Sequence, residues 1–156
     1  AGFINAGVNT TVSLTADTSL TVAAHAGKIL LCNDADGKFT LPSIVTTAPT
    51  DPTSPDQANN VGASFFFYIE TAATDLDILT DGTDKFKGAA MVAVDDGSKK
   101  AFFPASSNDV MTLNGSTKGG IVGSVVQVTA IDAATYLVHN TLLLGSGTIV
   151  TPFADA

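Results

Sequence analysis

Asp-Gly pairs at residues 36–37, 81–82 and 96–97, and an Asn-Gly pair at 114–115, punctuate this chain with turn signals. Such pairs supply the positive φ angles that tight turns need. The runs between them carry strand chemistry. Val12 and Leu14, then Leu20 and Val22, alternate with polar residues, as half-buried strands do. "GKILLCND" follows, then "KFTL", which Pro42 stops because proline cannot donate to a sheet ladder. "ASFFFYIE" is apolar on both faces and reads as a central strand covered on each side. "LDILTDG", "DKFKGAAMVAVDDG", "KKAFFPA", "DVMTLNG" and the long run from Gly119 to Gly147 continue the pattern. "GAAMVAV" and "QVTAIDAATYLV" have some helical spacing, but their β-branched content favours strands. The expectation is an all-β fold, a β-sandwich or β-barrel of about ten to twelve short, mostly antiparallel strands. No internal repeat of fixed period is visible.

Composition supports this reading where patterning is ambiguous. The chain has one glutamate, no arginine and seven lysines, so the usual builders of helix surfaces are scarce. Its 156 residues fit a short N-terminal arm, residues 1–12, and a single β domain, residues 13–156. A net charge of −8 without arginine argues against gripping a phosphate backbone, so no nucleic-acid partner is expected. No apolar run approaches the roughly 20 residues of a membrane helix, and no membrane partner or secretion is expected. Cys32, the one cysteine, sits in an apolar run and reads as a buried, inert thiol.

Chemistry-bearing motifs are sparse. His25 and His139 have no nearby nucleophile elbow and are not expected to be catalytic. Asp34, Asp36, Asp81 and Asp84 superficially resemble calcium-loop ligands, but the Gly comes too early and no Glu closes the loop. A structural ion on these aspartates stays open as an alternative to ordinary turns. "GSTKGG" lacks phosphate-loop spacing. Neither enzyme activity, a cofactor nor a metal is expected. Gly119, Gly120 and Gly123 point to a bulge or a close backbone approach. The segment at 43–62 holds Pro49, Pro52 and Pro55 and reads as an exposed excursion.

A charged fraction of 14% leaves more apolar surface than one small core absorbs, which suits a homo-oligomer. The N-terminal stretch carries Phe3 and Ile4 as anchors. It is either an arm that adds a strand to a partner's sheet edge or a strand of the fold itself.

The succession "KFTLP", "GASFFFYIE", "LDILTDGTDKFKG", "NDVMTLNGSTKGGIVGSVVQVTAI", "YLVHN" and "GSGT" resembles the small structural proteins of tailed bacteriophages, over roughly residues 38 to 153. The resemblance implies a capsid decoration (cement) protein on the outer surface of the virion head. It implies a homotrimer bound to the major capsid protein. The arm of Phe3, Ile4, Val8 and Val12 would contact the capsid, and Lys118, Gly119, Gly120, Ile121 and Gly123 would lie at the contact between copies. Phage tail or fibre proteins share this look, and a glycan-binding β module is a further alternative, with Tyr68 and Tyr136 as candidate ring platforms.

Overall fold

The computed structural model describes residues 10–47 and 59–156. Phe3, Ile4, Val8 and the three loop prolines lie outside the described residues. Among the described residues thirteen short strands form two sheets, accompanied by one four-residue helix, so the chain is all-β as expected. The large sheet runs β1 (Thr11–Leu14), β3 (Ile29–Cys32), β5 (Ser64–Ile69), β11 (Val125–Asp132), β12 (Thr135–Gly145), β8 (Ala90–Val94) and β9 (Lys99–Phe102). A further strand, β7 (Lys85–Gly88), pairs with the first part of β12. The small sheet runs β13 (Phe153–Ala154), β10 (Val110–Leu113), β6 (Leu76–Leu79), β4 (Lys38–Thr40) and β2 (Thr18–Ser19). Val12, expected in the arm, is instead a strand residue, in register with Leu30.

The first half of the chain is a wind. Three times it passes through the large sheet and then the small one, as β1–β2, β3–β4 and β5–β6. Neighbours within this wind are parallel in both sheets. The second half closes it with antiparallel pairs: β10 lies against β6, β13 against β10, and β11 between β5 and β12. Six of the eleven strand pairings are parallel, which corrects the expectation of mostly antiparallel strands. The reason lies in what the turns connect. Asp36-Gly37 and Asp81-Gly82 carry the chain from one sheet to the other, and only Asp96-Gly97 closes a hairpin within a sheet. Parallel neighbours need a crossover, and here the opposite sheet supplies it.

The helix, α1 (Val22–His25), sits in the first return to the large sheet, where Thr21 caps it by accepting from the Ala24 N–H at 3.3 Å. The core lies between the sheets. Phe65, Phe67 and Ile69 of β5 point inward and are fully buried. Phe39 of β4 stacks on Phe67 at 6.3 Å between centroids, and Phe86 of β7 tilts against Phe153 of β13 at 6.4 Å. Each ring pair joins the two layers, and each fully buried Phe contributes about 1.5–3 kcal/mol.

Candidate functional site

The feature that sets this molecule apart is the outer face of its large sheet. Strand alternation sends every second side chain there. One row across seven strands reads Ser13, Leu31, Tyr68, Val125, Leu142, Met91 and Ala101, each opposite the next. A second row reads Thr11, Ile29, Phe66, Gln127 and His139. No residue of either row is charged. Ile29, Met91 and Leu142 are 42%, 40% and 42% exposed, while Phe66 and Tyr68 are half-buried by their neighbours. The expectation that β5 is covered on both faces therefore holds for one face: its outer side chains meet no covering layer among the described residues. At the end of the face, Ala93, Ile121 and Leu144 line a shallow, mainly apolar hollow of about 380 Å³.

Beside the apolar row lies a closed ring of polar side chains. A β-bulge in β12 builds it: Val125 opposes Leu142 but Gln127 opposes His139, so β12 has one residue more. Asn140, the one described non-glycine residue with positive φ (46°), occupies that bulge. Its amide nitrogen donates to Gln127 Oε1 at 2.9 Å and lies 3.3 Å from His139 Nδ1. With Nδ1 accepting, His139 Nε2 carries the proton and donates to Thr129 Oγ1 at 2.7 Å. Thr129 donates onward to Ser64 Oγ at 3.0 Å, and Gln127 Nε2 donates to the same oxygen at 3.0 Å. Five side chains from β5, β11 and β12 are thus linked in one ring.

The glycine-rich segment has an internal role. Gly119 and Gly120 are buried, and a Cβ on Gly120 would lie 2.8 Å from Ala73 Cβ and 2.9 Å from Leu113 Cβ. The Asn114 carboxamide oxygen accepts from the Ser116 and Lys118 N–H groups, and Gly120 O accepts from the Ala73 N–H at 2.9 Å. Lys118 and Gly123 are half-buried beside this knot, and Ile121 alone of the five lines the hollow on the outer face. The close approach expected from the glycines is there, within one chain.

The remaining candidates are absorbed by structure. His25 Nδ1 accepts from the Thr21 N–H at 2.9 Å and so closes its own helix. Cys32 is fully buried, and burial pushes its thiol up to about 12. Tyr136 is buried, with its hydroxyl donating to Pro42 O at 2.6 Å, so it offers no platform to a sugar. Burial works against the charge on Asp81, but Ser43 Oγ and the Thr83 and Asp84 N–H groups outweigh it and hold the carboxyl below its usual range. Asp84, 3% exposed, is raised by burial and by Asp81 and Asp132, against the Ile44 N–H that it accepts at 3.0 Å. Among the described residues no three His, Cys, Asp or Glu side chains are gathered for a metal ion. Asn60 was not legible as important. It is nearly buried and clamps the base of the proline-rich excursion, accepting from the Val45 N–H and donating to Ser43 O.

No protein-family model, curated protein or solved structure matches this chain.

Proposed function

We propose that this chain is a structural module of a large protein shell, a decoration protein on the outer surface of a tailed-phage capsid, working as a homo-oligomer without catalysis. The observation that supports this most is the pair of uncharged rows across the outer face of the large sheet, set on a molecule of net charge −8. An apolar surface of this extent favours coverage by protein. The resemblance supplies the partner: the major capsid protein, reached by the N-terminal residues Phe3, Ile4 and Val8, which lead directly into edge strand β1. That edge carries Thr11, Val12, Ser13 and Leu14, with no proline and no charge to prevent a further strand from pairing. The opposite edge strand, β9, is guarded by Lys99 and Lys100. The action would be mechanical, joining shell subunits by buried apolar area at about 25 cal/mol per Å² and multiplying weak contacts by avidity.

Deletion of residues 1–9 tests the capsid contact while leaving β1 whole. The shortened protein is expected to keep its thermal transition and to lose binding to undecorated capsids in a co-sedimentation assay. Full binding by the shortened protein would remove the arm from the account.

A further inference from the structure

We infer that copies of this chain meet through the outer face of the large sheet, a reading that rests on the oligomeric part of the proposed function and is independent of the capsid. Strand β5 has the composition of a strand buried on both sides, yet among the described residues its outer side chains Phe66 and Tyr68 are covered only by their lateral neighbours. The row through Leu31, Tyr68, Val125, Leu142 and Met91 continues that apolar surface across neighbouring strands.

Three observations select a second copy as the occupant. The first is charge. Two molecules of net charge −8 repel, and they can approach closely only where the apposed surfaces are neutral; these rows hold no charged residue. Rows without charge also do little to steer a different, charged partner, whereas interfaces between identical subunits are the apolar ones. The second is the polar ring. Ser64, Gln127, Thr129, His139 and Asn140 already pair with one another, so a covering layer leaves none of their mutual bonds broken. The third is area. Seven positions in one row and five in the other, each about 4.8 by 7 Å, give a footprint of about 400 Å². Both partners together then bury about 800 Å², the size of a weak, reversible interface.

The test is the native mass in solution, measured without capsids by sedimentation equilibrium. The wild type is expected at a multiple of 15.8 kDa, and the double variant Leu142→Lys with Met91→Lys near 15.8 kDa with an unchanged far-ultraviolet spectrum. Lysine lowers the net negative charge, so dissociation cannot be ascribed to greater overall repulsion. Thr83→Lys, in an exposed turn off this face, changes the charge in the same direction by half as much and is expected to stay associated. If the lysine pair disturbs the fold, Leu142→Gln with Met91→Gln serves in its place and is expected to weaken association at least tenfold. A monomeric wild type at its highest soluble concentration would overturn the inference. So would a face variant that stays as associated as the wild type. A monomeric wild type that binds capsids and loses them in the face variant would also overturn it, assigning the face to the shell. Deleting residues 1–9 leaves the association intact, which separates this outcome from failure of the capsid reading.

Discussion

Asp84 and Asp109 show how two aspartates in one corner of the fold oppose each other in their effect on stability. Burial also works against the charge on Asp109, but Lys85 Nζ at 2.6 Å and the Ala156 N–H at 2.8 Å outweigh it and hold the carboxyl below its usual range. A lowered folded value means that Asp109 stabilises the fold above about pH 4, and that this is lost as pH falls through the folded value. Asp84 is raised by burial and by its neighbours Asp81 and Asp132, so its sign is reversed. The fold favours its protonated form, and that stability is present below about pH 4 and lost as pH rises through the folded value. Asp84→Asn keeps an oxygen for the Ile44 N–H and removes the charge. The variant is expected to gain stability relative to the wild type between pH 4 and pH 7 in urea titrations. A difference that stays constant or shrinks over that interval would contradict this assignment. None of this was legible in the sequence, where Asp81 and Asp84 read as turn residues or ligands for an ion. Their partners Ser43, Ile44 and Asp132 come from distant parts of the chain. His139 is a similar case. Nothing in "TYLVHN" announces that a bulge at Asn140 would set its ring against Thr129.

At the scale of elements, the turn from Asn114 to Gly120 is a wedge between β10 and β12, and its glycines set the spacing. Gly120 has a φ of 102°, and an added Cβ would sit under 3 Å from both Ala73 and Leu113. Gly120→Ala therefore meets strain and a clash together, and is expected to cost about 1–3 kcal/mol. Urea denaturation should show an earlier midpoint with an unchanged slope. A midpoint within error of the wild type would mean that the wedge yields without cost. The strands themselves were readable because alternation, proline stops and Asp-Gly turns are local signals. Their pairing was not. Thr11 faces Ile29 and Ile29 faces Phe66, so successive turns of the wind advance by 18 and then 37 residues, and no fixed period betrays it. The longer turn contains the proline-rich excursion, whose base Asn60 ties shut. An Asp-Gly pair also reads the same whether it returns a strand to its own sheet or passes it to the other. The parallel wind is a property of three-dimensional closure that the local code leaves open.

At the scale of the whole molecule, charge and apolar surface are segregated. The chain carries −8 in net charge, while the two outer rows of the large sheet carry none. Association through that face brings two like-charged bodies together by apolar contact, so the electrostatic term opposes it and the hydrophobic term drives it. Salt acts on these in a definite direction. The screening length shrinks from about 10 Å at 0.1 M to about 3 Å at 1 M, which removes much of the repulsion between the bodies and leaves the uncharged contact untouched. Raising sodium chloride is therefore expected to tighten self-association of the wild type, read as a falling dissociation constant in sedimentation equilibrium. An interface built on ion pairs would respond the other way, because screening weakens attraction between opposite charges. The sole salt bridge among the described residues, Lys85 to Asp109, joins β7 to the residue preceding β10 within one chain, and the two outer rows hold no charged residue to form another. Association that weakens steadily with salt would place the contact on a charged surface, and the outer face of the large sheet would lose its partner.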